Sequence, residues 1–395
     1  MSNQILGSSS EEWRRVGATH TATEIYNQPE LWIKTWDLVS ANAQRLSEFL
    51  RWNYQHDDLQ IILTGAGTSA YIGEVLEGII QRSTKFPTRA IPTTHLVTHP
   101  ALYILKDKPT LLISFARSGD SPESIKAVEL ADQISDKVNH LIITCNADGK
   151  LAKSLPAENN FVFILPPEAN DKGLAMTGSF SSMLLTGLLI AKIEKLPFLE
   201  QQKRTLYEYG NFFFNTYIPE LKKIASMEFE RAVFLGSGLF GGIATESHLK
   251  MQELTGGKVI CTHDSFLGFR HGPKAVVNGN TLLTYIFSND HYSQKYEIDL
   301  VASINSDRSK CYSIGVMEHD INKLDLDCKI ILSSEKKSLD EDFLPVVSIL
   351  PAQVLSLFKS ISLGLQPDTP SENDIITRVV EGVHLYEYNA KPILV

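Results

Sequence analysis

The segments Ile61 to Glu74 (IILTGAGTSAYIGE) and Ala232 to Glu246 (AVFLGSGLFGGIATE) follow one plan: an apolar strand, a Gly-x-Gly turn and the start of a helix. Their first glycines, Gly65 and Gly236, stand 236 − 65 = 171 residues apart. The offset recurs downstream, where Phe115 in ISFA and Phe287 in IFS are 287 − 115 = 172 residues apart. His140 to Asn146 (HLIITCN) likewise falls opposite Cys311 to Met317 (CYSIGVM). A matched series of strands, unlike a single matched loop, predicts two tandem copies of one α/β domain.

The 395-residue chain has room for helical ends around two domains of about 150 residues each. The pattern divides it into a helical lead-in (1–57), a first α/β domain (58–207), a second (208–365) and a C-terminal tail (366–395). The net charge of −9, with Lys and Arg unclustered, argues against nucleic acid or an anionic membrane and for a small-molecule partner. No apolar run is read as long enough for a membrane span, and the polar, acidic start predicts a cytoplasmic protein. Cys145, Cys261, Cys311 and Cys328 lack metal-ligand spacing and read as packed, reduced thiols.

Between Glu24 and Gln55, Leu31, Trp32, Trp36, Val39, Ala43, Leu46 and Leu50 return at helical steps, with Pro29 near a helix start. The first domain then offers strands IILTG, THLV, TLLISF, HLIITC and FVFILP, and a helix over Ser179 to Ile193. A helix over Asn211 to Met227 opens the second, followed by AVFLG, KVICT, LLTYIF, CYSIGV, KIILSS and a helix over Leu350 to Leu363. Strands alternating with helices predict mostly parallel, doubly wound, flavodoxin-like sheets. The apolar helix YEYGNFFFNTYIPEL fits either a dimer interface or an inter-domain seam.

Gly65, Gly67, Thr68 and Ser69 join a buried strand to a helix, where backbone N–H groups and the positive helix end favour an anion. A second loop, FARSGDSPES from Phe115 to Ser124, supplies Ser118, Gly119 and Ser121 with Pro122 and Glu123 in a first helical turn. In a parallel sheet both loops emerge at the carboxyl edge, a site suited to a phosphomonoester. Gly65, Gly67 and Ala70 also fit a dinucleotide fingerprint, as do Gly236, Gly238 and Gly241. That fingerprint wants an acidic residue about 20 positions on. The first copy offers none there; Asp264 would serve in the second, whose loop lacks hydroxyls after Ser237.

The lead-in TATEIYNQPELW, the loops GAGTS and SGDSPES, the stretch KGLAMTGSF and the stretch from Glu246 to Val277 together resemble the sugar isomerase (SIS) family over nearly the whole chain. They are similar to the isomerase half of glucosamine-6-phosphate synthase. Its glutaminase half has no counterpart here, and Met1-Ser2 presents no cysteine nucleophile, so glutamine-derived ammonia is not expected. NDKGLAMT and the ending PDTPSEND…TRVVEGV resemble the double-SIS group of galactosamine-6-phosphate deaminases, also described as tagatose-6-phosphate ketose/aldose isomerases.

The resemblance implies substrate contacts from Gly67, Thr68, Ser69, Ser118, Gly119 and Ser121, with Arg117 and Ala116 where the synthase has glutamine and serine. It lays Leu174 and Met176 along the sugar. On the helix TESHLKMQELTGG, Glu246, Lys250 and Glu253 share a face; without the resemblance such a Glu/Lys pair reads as a solvated face. The family's carbon base falls on Glu253 and its neighbouring lysine on Lys250. His271, in the HGP motif, takes the ring-opening role, reaching the site from the other subunit of a homodimer. Arg378 stands where the synthase has its Schiff-base lysine; a guanidinium forms no imine and leaves electrostatic support as its role.

The expected reaction is deamination of galactosamine-6-phosphate to tagatose-6-phosphate and ammonia, with neither metal nor organic cofactor. Two readings stay open beside it: ketose/aldose isomerisation without amine chemistry, and a non-catalytic sugar-phosphate sensor. Galacto against gluco stereochemistry rests on the resemblance alone.

Overall fold

The computed structural model describes residues 4–153, 160–306, 311–322, 324–333, 337–371, 375–380 and 382–389. Four helices lead in: α1 (Ser10–Arg15), α2 (Thr19–Tyr26), α3 (Gln28–Ala41) and α4 (Ala43–Asn53). The apolar period turns Leu31, Trp32, Trp36, Val39, Leu46 and Leu50 inward, and all are buried.

The first domain alternates β1 (Gln60–Thr64), α5 (Thr68–Thr84), β2 (Thr88–Ala90), α6 (Thr93–Thr98), β3 (Thr110–Ala116), α7 (Pro122–Ile134), β4 (Val138–Thr144), α8 (Lys150–Lys153), β5 (Phe161–Ile164) and α9 (Gly178–Ala191). Its five strands are parallel, in the order β2-β1-β3-β4-β5. After α10 (Glu200–Ala225) the second domain runs β6 (Arg231–Gly236), α11 (Leu239–Leu254), β7 (Ile260–Asp264), β8 (Thr281–Ile286), α12 (His291–Ser306), β9 (Tyr312–Met317) and β10 (Cys328–Ile331), then α13 (Leu344–Ser348) and α14 (Leu350–Ser362).

Its sheet is again parallel, ordered β7-β6-β8-β9-β10, so both domains show the flavodoxin-like order 2-1-3-4-5. The duplicated turns also match in backbone: Gly67 lies at φ 54°, ψ −129°, and Gly238 at φ 58°, ψ −128°.

Three expectations need correction. THLV is not a strand: Thr94 to Val97 lie within α6, which starts after Pro92, and the edge strand is the three-residue β2 that pairs Ile61 with Thr88. Tertiary context overrides β-propensity there, because Leu96 is buried from a helical face. The helix expected from Asn211 begins at Glu200; its early turns, EQQKRT, are too polar to show an apolar period. Finally, helical residues Glu341–Ser362 are long and apolar enough to cross a membrane by length and composition, yet 94% of the apolar window is buried inside the protein. Like α9, they form a core helix, for which all-round apolarity is the normal composition.

Tyr209, Phe213 and Phe214 of α10 are buried within the chain, where α10 packs on α3 and α14. The aromatic run is therefore an internal seam.

The two domains meet where α5 lies against α11. A Cβ on Gly242 would stand 2.6 Å from Val75 Cγ2, 2.8 Å from Val75 N and 3.0 Å from Tyr71 O, so only a bare backbone lets the helices approach this closely. We expect Gly242→Ala to cost about 1–3 kcal/mol by overpacking. Chemical denaturation measures the cost.

Candidate active site

Parallel β1 and β3 deliver both loops of the first domain to one sheet edge. Thr68 and Ser69 open α5, whose N-cap, Gly67, brings no capping side chain; the Ser69 and Ala70 amides turn back to Ala66 O and Gly67 O, so the helix offers an anion its positive end and its hydroxyls. Ser121 caps α7: its Oγ accepts from Ser124 N at 3.3 Å and donates to Ser124 Oγ at 2.8 Å. Ser118 Oγ accepts from Asp120 N at 3.2 Å, which fixes the turn between them.

The loops enclose a cavity of about 460 Å³. Gly67, Thr68, Ser69, Arg117, Ser118, Gly119, Ser121, Leu174, Met176, Glu253 and Arg378 all line it. So do Ile375, Ile376, Thr377, Val379 and Val380, which make the tail a wall of the site; the last three belong to the TRVVEGV motif, whereas nothing in the sequence marks Ile375 and Ile376. Within the tail motif, Glu372, Asn373, Asp374 and Glu381 lie outside the described residues.

Glu253 reaches this cavity from the second domain, because α11 crosses α5 at Gly242. Behind it sits Lys250, fully buried, with Nζ 2.5 Å from Glu253 Oε2, 3.4 Å from Glu246 Oε1 and 3.2 Å from Thr68 Oγ1. One ammonium thus ties the carboxylate of the second domain to the cradle of the first. Burial pushes the enclosed Glu246 up to about 8, against the pull of Lys250. For Lys250 burial works against the charge, but Glu246 and Glu253 outweigh it and hold the ammonium above its ordinary value.

Arg117 is buried, and its Nη1 donates to Leu174 O at 2.9 Å and Gly173 O at 3.3 Å, its Nη2 to Arg378 O. Arg378 in turn donates from Nε to Asp171 O at 2.9 Å and from Nη2 to Asn170 Oδ1 at 2.7 Å. Among the described residues neither guanidinium pairs with a carboxylate. Both cations are hydrogen-bonded only to carbonyl oxygens, and they bring positive charge to a cavity that Glu253 also lines, a field suited to a phosphate. Burial and the neighbouring Arg378 accordingly lower the Arg117 pKa. Arg378 is spent on fastening the tail.

His271 ends a 3-10 turn (Gly268–His271) after the edge strand β7; it is exposed and does not line the cavity. The second Gly-x-Gly turn opens onto a separate groove where Glu74 joins Asp264 and His263. A carboxylate at its mouth opposes a pyrophosphate, so the dinucleotide reading finds no support there. Among the described residues no three His, Cys, Asp or Glu side chains stand together as metal ligands.

The SIS domain family matches residues 55–193. A D-galactosamine-6-phosphate deaminase AgaS of Shewanella sp. (strain ANA-3) is 38% identical over 391 residues, 98% of this chain and 96% of that protein. The chain belongs to the AgaS family of SIS-domain proteins. Two crystal structures lie close to this AgaS-family chain. One, from Clostridium novyi NT, is described only provisionally as a tagatose-6-phosphate ketose/aldose isomerase; it has a TM-score of 0.95 and 39% identity, covering 98% of this chain and 100% of that one. The tagatose-6-phosphate ketose/aldose isomerase of Escherichia coli has a TM-score of 0.85 and 34% identity, covering 94% and 97%.

Proposed function

We propose that the chain is a sugar-phosphate deaminase/isomerase that converts galactosamine-6-phosphate into tagatose-6-phosphate and ammonium. One observation carries the reading: a carboxylate from the second domain, Glu253, shares a cavity with the hydroxyl-rich phosphate cradle of the first. The relatives' deaminase and isomerase names supply the substrate class.

The phosphate sits among Thr68, Ser69, Ser118 and Ser121, with Arg117 supplying charge and Leu174 and Met176 flanking the sugar. In this assignment residues 58–207 bind the phosphate, 208–365 bring the catalytic helix and 366–395 close the site. Once the ring is open, Glu253 takes the C2 proton and the electron pair moves into C1=C2, giving an enolamine. Lys250 and Arg117 stabilise the developing oxyanion at O1, while Arg378 holds the tail that walls the site. Reprotonation at C1 makes the C2 ketimine; water adds there, and ammonia leaves as the ketone forms. A coupled assay for ammonium tests this: a 2-amino hexose phosphate must yield ketose phosphate and ammonium in equal amounts. Ketose production without ammonium sinks the deaminase in favour of the simple isomerase, which uses the same base.

Ring opening falls to His271 of a second copy in a homodimer. The support is its position, beside the edge strand β7 with Ile260 and Leu267 exposed. Glu253→Gln and His271→Ala chains are each inactive in this scheme. Mixed, refolded and assayed together, they recover about one quarter of wild-type turnover, since half the dimers are hybrid and each hybrid has one intact site. A mixture as dead as its components contradicts the shared site. The cysteines, all free, suit a reducing compartment, and the proposal places the enzyme in the cytoplasm.

A further inference from the structure

The lead-in motif TATEIYNQPELW takes no part in the chemistry above, yet Glu24 reaches the loop that both site arginines grip, and Gln28 and Trp32 reach Ser181 of the helix α9 that follows it. Glu24, Gln28 and Trp32 follow one another at four-residue steps. Glu24 Oε1 accepts from Lys172 N at 2.5 Å and Oε2 from Gly173 N at 3.3 Å. Ser181 Oγ donates to Gln28 Oε1 at 2.7 Å and accepts from Trp32 Nε1 at 2.9 Å. On the opposite side of the same peptides, Arg117 takes the carbonyls of Gly173 and Leu174, and Arg378 takes that of Asp171. The loop is therefore stretched between cations lining the cavity and a carboxylate behind it.

A second route ties it to the same helix. Leu174 N donates to Asp368 O at 3.1 Å, and the Asp368 carboxylate caps α2 by accepting from Thr21 N at 2.7 Å and His20 N at 3.1 Å. The fit is close: a Cβ on Gly173 would lie 2.9 Å from Thr21 Oγ1 and 3.1 Å from Glu24 Oε2. Holding Glu24 there has a cost, since burial, then Asp171 beside it, raises its pKa to about 7.

We infer that Glu24 is a positioning residue: it holds the 170–176 loop from behind, and through Leu174 and Met176 sets affinity for the sugar rather than for the phosphate. This rests on the sugar-phosphate reading of the cavity. The hydroxyls of the phosphate cradle stand on the loops after β1 and β3, which among the described residues carry no bond to Glu24; of the phosphate-binding groups Arg117 alone donates to the carbonyls of the loop that Glu24 holds.

The test is calorimetric titration of the full chain with two probes, inorganic phosphate and an unreactive open-chain hexitol 6-phosphate. Glu24→Ala is expected to weaken the hexitol phosphate at least about tenfold, the effect of losing charge-assisted hydrogen bonds, and to leave inorganic phosphate within about threefold. Glu24→Gln, which keeps one acceptor oxygen for Lys172 N–H, falls between. Should Glu24→Ala fail to fold, Gly173→Ala reports instead: it displaces the loop with Glu24 intact and must show the same selective loss. Unchanged hexitol phosphate affinity in these variants overturns the inference. So does a parallel fall for both probes, which is what a merely structural support would give. Because the titration reads binding without turnover, a wild type that binds the hexitol phosphate but releases no ammonium defeats the deaminase reading alone.

Discussion

Glu253→Gln lowers turnover by about 10²–10⁴-fold, the range a positioned base contributes, while the affinity for a sugar phosphate stays within a few-fold. The substitution keeps the shape of the side chain and removes its ability to take a proton from carbon. Binding survives because the phosphate contacts belong to the other domain, at Ser69, Ser118 and Ser121. The outcome also separates an enzyme from a sensor. A sensor would keep its whole response, since nothing in ligand capture needs Glu253 to ionise. Single-turnover kinetics beside equilibrium titration of the same preparation checks both halves of the statement.

Lys250→Met acts on stability as well as on activity. The ammonium is fully buried between Glu246 and Glu253, and an apolar side chain leaves two carboxylates facing each other without a cation. Removing one partner from a buried pair costs about 3–5 kcal/mol. The loss depends on pH in a fixed direction. Burial holds Glu246 at about 8 even with the lysine present, and losing the cation raises it further. A carboxyl whose folded-state pKa is raised contributes stability that is fully present below its unfolded value and is lost as pH rises through the folded one. Urea midpoints for wild type and variant should converge towards acid and separate towards pH 8. Parallel midpoints across that range would mean that Lys250 does not hold the pair.

Much of this arrangement is legible in the chain. Apolar strands such as TLLISF and HLIITC, buried on both faces, announce a parallel sheet by their continuity. The 171-residue offset announces the second sheet, and the hydroxyls after Gly67 and around Gly119 announce the cradle. What the chain hides is set by contacts distant in sequence. Glu24 bonds to a loop 148 residues away, and its own helix shows only a polar residue among apolar neighbours. Arg378 reads as electrostatic support for an enolate, but its guanidinium is taken by Asp171 O, 207 residues earlier. The tail residues 375–380 line the cavity without any periodic pattern, because they form a bent segment outside helix and strand. THLV misleads for a related reason: the sheet edge needs only three residues there, and the chain after Pro92 is free to coil into α6. His271 carries the clearest motif in the second domain and yet stands outside the cavity of its own chain. The proposed function gives its role to a partner copy.

The central claim is that one base, Glu253, moves the sugar's carbon-bound proton and thereby sets ammonia free. Proton NMR of galactosamine-6-phosphate turned over in D2O tests it most directly. The account predicts tagatose-6-phosphate carrying deuterium at C1, formed together with an equal amount of ammonium, and neither product from Glu253→Gln. Ammonium released with no deuterium at C1, or a Glu253→Gln chain that turns over like wild type, would contradict it.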